Sequence, residues 1–258
     1  MSTPAPKLRR FNNIVYHYAS VTSTNDVARE LAECGAGEGT VVVAEEQTAG
    51  RGRLGRTWLS PKSEGLYHSI ILRPTIPPSD LPVLSLVIAV ALAELVSQQY
   101  QLTADIKWPN DLLIGDRKFA GILAEAEVKH HRLAYVISGI GVNLNQTSFP
   151  PELAAEATSL KLETGRAIDA DDFRQRLYVQ LDAWYDLFLS QGASDIVHRW
   201  CQLSTYAEDK PVKVVTCDRT IVGVTRGLTP EGALIVETPT GARETILSGD
   251  VRSLRKKQ

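Results

Sequence analysis

Gly50-Arg51-Gly52-Arg53-Leu54-Gly55-Arg56-Thr57-Trp58 places three glycines and three arginines in one short stretch with no acidic side chain. Thr40 to Ala44 before it and Gly65 to Leu72 after it are apolar runs that predict buried strands. A basic, glycine-rich loop therefore joins two strands of a core sheet. Glycine allows positive φ and close approach to a ligand, so successive N–H groups can converge on an anion while guanidinium forks grip phosphate or carboxylate oxygens. A solvated connection or a nucleic-acid-binding tail has the same composition, so the rest of the chain must decide.

The chain has 258 residues, 43% of them hydrophobic, a formal net charge of -2 and a pI near 6.2. That length suffices for one sizeable domain and a small one. Near-neutral charge argues against a general nucleic-acid binder, which carries a broad basic face. Cys34, Cys201 and Cys217 form no CxxC pair, so neither a disulfide framework nor a thiolate zinc site is indicated, and a reducing, cytoplasmic setting is expected. Met1 to Arg10 has no apolar core of a secretory signal and reads as a frayed leader. The apolar run Leu81 to Val96 is shorter than a bilayer span and contains Ser85 and Glu94, so it predicts a buried core helix with Pro82 in its first turn, and no membrane partner.

In chain order, Phe11 to Tyr18 predicts an edge strand. Ser20-Val-Thr-Ser-Thr-Asn-Asp26 precedes a helix over Val27 to Cys34, closed by Gly35. Ser23 or Thr24 is the expected N-cap, and the same small polar groups would suit a neutral polar ligand. Asp105 to Glu127 predicts a strand ending at Trp108-Pro109, a turn at Asn110-Asp111, a short strand, a tight Gly115-Asp116 turn, and a strand from Lys118. Lys118 lies among small and apolar residues; it is either a solvated edge lysine or an inward cation that needs a counter-charge. Leu133 to Asn145 predicts a long strand whose glycines mark a bulge or a close approach of backbone or flat ligand. Phe149 to Leu160 predicts a short helical connection, and helices follow over Asp171 to Leu189 and Asp195 to Leu203. From about Lys210 short strands separated by turns predict a small β-barrel, with strands over Val212 to Thr216, Ile221 to Leu228, Ala233 to Glu237 and Thr245 to Leu247. No HExxH, Walker-type or GxSxG motif is present, and Lys129-His-His-Arg132 lacks metal-site spacing.

Gly50 to Trp58, Lys107-Trp-Pro-Asn-Asp111, Lys118-Phe-Ala-Gly-Ile-Leu123 and Gly139-Ile-Gly-Val-Asn143 occur in an order and spacing that resemble biotin protein ligase, the biotin–[acetyl-CoA-carboxylase] ligase family. Ser23-Thr24-Asn25 and Arg226-Gly-Leu-Thr-Pro-Glu-Gly-Ala-Leu234 extend the resemblance over nearly the whole chain. It implies an α+β fold: a mixed sheet with packed helices over residues 1–208, of class II synthetase-like type, and an SH3-like β-barrel over 209–258. It implies an enzyme that condenses biotin and MgATP to biotinyl-5′-adenylate and pyrophosphate, then biotinylates a lysine of a biotin carboxyl carrier protein, an acetyl-CoA carboxylase subunit. ATP, biotin and Mg2+ are the small molecules expected.

The resemblance also distributes roles. Ser23, Thr24, Asn25 and Gln47 would meet or line the ureido end of biotin, with Gly121 in the same pocket. Arg51, Gly52 and Arg53 would border the carboxylate and phosphate; Arg56, Trp58, Asn110 and Asn143 would join them around ATP and the adenylate, with Trp58 stacking on adenine. Lys118 would bridge the biotin carboxyl oxygen and α-phosphate, and Asp111 would orient or deprotonate the carrier lysine. No residue is assigned to metal. Only about twenty residues precede Ser23, too few for a helix-turn-helix, so a ligase without operator DNA is expected. The resemblance allows a homodimer. A lipoate or octanoate ligase or transferase is the competing enzyme, disfavoured by the Gly-Arg-Gly-Arg and Lys-Trp-Pro-Asn-Asp motifs; a non-catalytic biotin-binding or nucleotide-sensing module is disfavoured by Lys118 together with the arginines.

Overall fold

Side-chain alternation along the central strands decides which face of the sheet carries the core and which carries a cleft. The computed structural model describes residues 10–11, 13–130 and 132–254. Seven strands, β1 (Val15–Tyr18), β2 (Val41–Ala44), β3 (Gly65–Leu72), β4 (Ala104–Lys107), β5 (Asp111–Ile114), β6 (Arg117–Lys129) and β7 (Arg132–Asn143), form one sheet in the order β1-β2-β3-β7-β6-β5-β4. Only β1 and β2 are parallel, joined by the crossover helix α1 (Thr24–Glu33), as parallel pairing requires.

On one face, Leu66, Ile70, Ile122, Ile140 and Val142 pack with α2 (Leu81–Tyr100) into the main core. The helix α3 (Leu160–Thr164) is short, and α4 (Ala170–Gln191) and α5 (Ser194–Gln202) then pack against α2. By length and composition α2 could cross a membrane, but its side chains from Val83 to Val96 are buried apart from Ser85 and Glu94. Each fully buried Val, Leu or Ile contributes about 1.5–3 kcal/mol, which accounts for a helix that is apolar on nearly every side. On the opposite face, Ala28 and Ala32, one turn apart on α1, let the helix lie close to Val42, Ile71, Tyr135 and Ile137.

Downstream, β8 (Glu208–Val215), β9 (Thr220–Leu228), β10 (Leu234–Glu237), β11 (Arg243–Ile246) and β12 (Asp250–Ser253) form an antiparallel sheet in the order β11-β10-β9-β8-β12, consistent with an SH3-like fold. The sequence pattern missed β12, whose arginine and serine are exposed; it is defined by pairing with β8.

Three further expectations change. The edge strand is confined to Val15–Tyr18, while Phe11 is buried against Tyr178 and Tyr185. Residues 1–9 of the expected leader lie outside the described residues, but Arg10 is tethered by Glu38 at 3.0 Å and Asp186 at 2.7 Å. Residues 151–156 form turns instead of a helix, and helical structure begins only at Leu160, capped by the Ser159 hydroxyl, which accepts from the Leu162 N–H at 3.1 Å. Pro150 and Pro151 disfavour the α conformation in the residues that precede them, Phe149 and Pro150, so the helix cannot start at Phe149.

The two sheets are joined at Trp108, whose buried indole donates to the Gly232 carbonyl at 3.0 Å. Gly232 closes the Thr229–Gly232 turn at φ +81°, and a Cβ there would stand 2.9 Å from Leu86 Cδ1. On the α4 side of the sheet, His68 lies edge-on to Tyr178 with ring centroids 5.6 Å apart, and neither ring nitrogen has a hydrogen-bond partner. Burial, with a smaller contribution from Arg174, pushes the His68 imidazole down from 6.5 to about 3.

Trp108→Phe is expected to lower unfolding stability by about 2–3 kcal/mol with little change in the denaturant m-value, because it removes the hydrogen bond to the Gly232 carbonyl and leaves a cavity where the larger indole was buried; an unchanged midpoint would refute that role. For His68 the unfolded chain binds more protons between pH 6.5 and about 3. Its contribution is complete above pH 6.5 and declines below it by roughly 1.4 kcal/mol per pH unit within that window. Chemical denaturation from pH 7 to 5 should show a shallower stability loss in His68→Leu than in the parent; parallel curves would rule the histidine out.

Candidate functional site

Gly121, Gly139 and Gly141 fall on the α1 face of the sheet, where strand register makes Gly121 the partner of Gly141, and Ser69 the partner of Gly139. The pairing runs through them without a bulge, so these glycines serve close approach. A Cβ at Gly139 would meet Asn25 Oδ1 at 2.2 Å, and one at Gly141 would meet the Trp58 indole at 2.5 Å. The result is a recess in the sheet, part of a cavity of about 730 Å³. All the residues expected at the site line it: Ser23, Thr24, Asn25, Gln47, Arg51, Gly52, Arg53, Arg56, Trp58, Asn110, Asp111, Lys118, Gly121 and Asn143.

One end is neutral and polar. Ser23 occupies the N-cap position of α1, yet its hydroxyl caps no N–H. The Thr24 N–H donates to Gln47 Oε1 at 2.8 Å, and Gln47 Nε2 donates to the Ser60 hydroxyl at 2.9 Å. Asn25 is fixed unambiguously: Nδ2 donates to the Leu123 carbonyl at 3.3 Å and Glu125 Oε2 at 2.7 Å, which only accept. Its Oδ1 therefore accepts from the Ser69 hydroxyl, 2.6 Å away. The expected small hydrogen-bonding groups are here preassembled, and all but Gln47 are buried.

The other end is charged. Lys118 Nζ lies 2.6 Å from Asp111 Oδ1 and 5.1 Å from the centroid of the Trp58 ring. Lys118 therefore faces the cavity with the counter-charge that an inward cation requires. Its backbone is held on the far side by residues 156–158: its N–H donates to the Glu156 carbonyl at 2.7 Å, and its carbonyl accepts from Thr158 at 2.9 Å. Asn110 Nδ2 donates to the Ile122 carbonyl at 2.7 Å, leaving Oδ1 toward Arg53. Asn143 is buried, donating to the Thr158 carbonyl at 3.0 Å and accepting from Gln146 at 3.2 Å.

The arginine loop closes upon itself. Trp58 N–H donates to the Gly50 carbonyl and Gly52 N–H to the Arg56 carbonyl, and Leu54 sits exposed at the tip with φ 55°. Amides expected to converge on an anion are in part engaged within the loop. The guanidiniums also have protein partners. Arg51 binds Asp26 at 2.6 Å and Glu125 at 3.0 Å; burial would lower its pKa, but these carboxylates outweigh that and raise it. Arg53 reaches the second sheet's β11–β12 turn, donating to the Ser248 hydroxyl at 2.9 Å and the Gly249 carbonyl at 3.2 Å. Burial lowers its pKa despite nearby Asp111 and Asp250. Arg56 pairs with Asp250 at 2.9 Å. Burial pushes the Asp250 carboxyl up, but Arg56 and Lys107 hold it below its ordinary value.

Several cavity residues carried no sequence signal for the site: Phe149, Leu153 and Glu156 in the turns before Thr158, and Tyr206, Asp250 and Arg252 at the second sheet. Their approach depends on packing between distant segments. Among the described residues, no group of three His, Cys, Asp or Glu side chains could hold a metal ion.

The cleft on the mixed sheet has amide and hydroxyl groups at one end and a lysine among arginines at the other, a lining suited to an acid with a polar head. Residues 18–143 match the model of the biotin/lipoate A/B protein ligase family, and residues 209–252 match the biotin protein ligase C-terminal domain. The chain is 38% identical to the bifunctional ligase/repressor BirA of Bacillus subtilis, over 93% of this chain and 73% of that protein. It is 33% identical to the biotin–[acetyl-CoA-carboxylase] ligase of Paracoccus denitrificans, over 90% of this chain and 98% of that one. The structure of the Aquifex aeolicus biotin protein ligase in complex with biotin and ATP matches with a TM-score of 0.80 and 29% identity, covering 95% of this chain and all of that one. The chain belongs to the biotin protein ligase family.

Proposed function

We propose that the protein is an ATP-dependent biotin protein ligase that forms biotinyl-5′-adenylate with release of pyrophosphate and transfers the biotinyl group to a lysine of a biotin carboxyl carrier protein. The observation that carries the mechanism is Lys118, a half-buried ammonium facing a cavity whose opposite end is neutral and hydrogen-bonding. Both reactants are anions. Joining carboxylate to α-phosphate calls for a fixed cation at the junction, and a cation already held in a low-dielectric wall needs little reorganisation when charge develops.

In this reading the ureido group of biotin meets Ser23, Thr24, Asn25 and Gln47, and apolar neighbours hold its ring system. Lys118 then moves its charge from Asp111 toward the carboxylate and α-phosphate. Arg53 and Arg56, with Asn110 and Trp58, border the nucleotide. Asp111, released from Lys118, orients or deprotonates the carrier lysine, whose ammonium must lose a proton to attack. Magnesium, which neutralises polyphosphate charge, would arrive on ATP and needs few protein ligands; the Asn110 side-chain oxygen is the neutral donor suited to the phosphate and metal region. Residues 1–208 are assigned to both half-reactions and residues 209–258 to a second domain. The acetyl-CoA carboxylase named for the Paracoccus relative supplies the carrier class. Near-neutral charge supports action without DNA, and the three free cysteines suit a reducing cytoplasm.

ATP–pyrophosphate exchange should require biotin, with lipoate and no acid as controls, and Lys118→Ala should reduce it by roughly 10²-fold or more with little change in Tm. Exchange supported by lipoate alone, or near-normal exchange in Lys118→Ala, would overturn the substrate or the central residue respectively.

A further inference from the structure

Glu125 stands on the site face of β6 and belongs to none of the groups placed at biotin or ATP above. Its Oε2 accepts from Asn25 Nδ2 at 2.7 Å, from Arg51 Nη2 at 3.0 Å and from Arg29 Nη2 at 3.1 Å. Asp26 adds a second carboxylate to the same pair of arginines, 2.6 Å from Arg51 and 3.4 Å from Arg29. Thus one carboxylate touches both the amide that shapes the polar end of the cleft and the arginine at the root of the covering loop.

We propose that Glu125 is a positioning residue that couples the polar pocket to the arginine loop. Two jobs are separable by chemistry. Toward Asn25, Glu125 needs only an acceptor, because Asn25 already donates its other proton to the Leu123 carbonyl. Toward Arg51, it needs a negative charge, because a charge-assisted hydrogen bond is about twice as strong as a neutral one. Arg51 is thereby held against α1 and β6 before any ligand enters, so Gly50 and Gly52 begin and end their excursion from a fixed point. A pocket distorted at Asn25 loosens the loop, and a loop pulled from Glu125 frees Asn25 to rotate. The coupling runs through one carboxylate, whose Oε1 also accepts from Arg51 Nη2 at 3.3 Å.

This inference rests on the biotin ligase reading for what the pocket holds, but the strap itself is a property of the ligand-free chain. The test compares Glu125→Gln with Glu125→Ala in the full chain, reading tryptic cleavage after Arg51, Arg53 and Arg56 without ligand, and the biotin KM and kcat of pyrophosphate exchange. Glutamine keeps an acceptor for Asn25 and loses the charge. We expect Glu125→Gln to be cut up to about fivefold faster in the loop, with a lower kcat and a biotin KM within about twofold of the parent, since one exposed charge-assisted contact is lost while Asp26 still holds Arg51. Glu125→Ala should be cut as fast and raise the biotin KM about tenfold as well. Parent-like cleavage in both variants, or equal KM changes in both, would overturn the coupling. Absence of biotin-dependent exchange in the parent would instead sink the assigned reaction, while the cleavage arm still reads the strap.

Discussion

A patch of β-sheet without side chains is the constraint from which the site follows. Gly121, Gly139 and Gly141 share one face of two adjacent strands, and a single methyl at Gly139 or Gly141 would collide with Asn25 or Trp58. That vacated layer lets α1 present its first turn directly to the sheet and lets an indole lie against backbone. The opposite face of the same strands carries Ile122, Ile140 and Val142, tightly packed on the α2 side. One face therefore supplies the rigidity that a fixed polar constellation needs, and the other supplies the room.

The covering loop is tied at three places, and none of them is strong. Arg51 is bound to Asp26 and Glu125, Arg53 to the Ser248–Gly249 turn, and Arg56 to Asp250. Arg51 and Arg56 are exposed, with side chains 38% and 53% accessible, so their ion pairs are each worth about 0–1 kcal/mol after solvent screening. Several small contacts give a loop that is ordered yet belongs to the low-stability end of the molecule, where ligand-gated segments are drawn from. Because two of the three ties reach the second sheet, the loop reports on both domains at once.

Much of this was legible from local pattern. Period-two and helical spacing gave β2, β3, β6, β7 and α2 close to their observed limits, and turn chemistry placed Gly115-Asp116 between strands; the turn expected at Asn110-Asp111 instead spans Trp108 to Asn110, with β4 ending at Lys107 and Asp111 opening β5. The residues expected around the ligand proved to share one cavity, although they come from segments more than a hundred positions apart. Less legible were the turns at 151–156, where an alanine-rich composition resembles a helix, and β12, whose short and mostly polar strand has no pattern of its own.

The amino-acid sequence by itself determined the kinds of chemistry available: where glycine leaves space, where apolar runs must be buried, and which cations and amides occur together. It could not decide what each cation does. Lys118 faces the cavity beside Asp111, whereas Arg51 is strapped to Asp26 and Glu125, Arg53 reaches across to the β11–β12 turn, and Arg56 to Asp250 at the start of β12. Side-chain period and backbone freedom are properties of neighbouring residues, so they can be read along the chain. An ion pair depends on a few ångströms between strands and loops brought together by folding, and only the tertiary structure sets that distance.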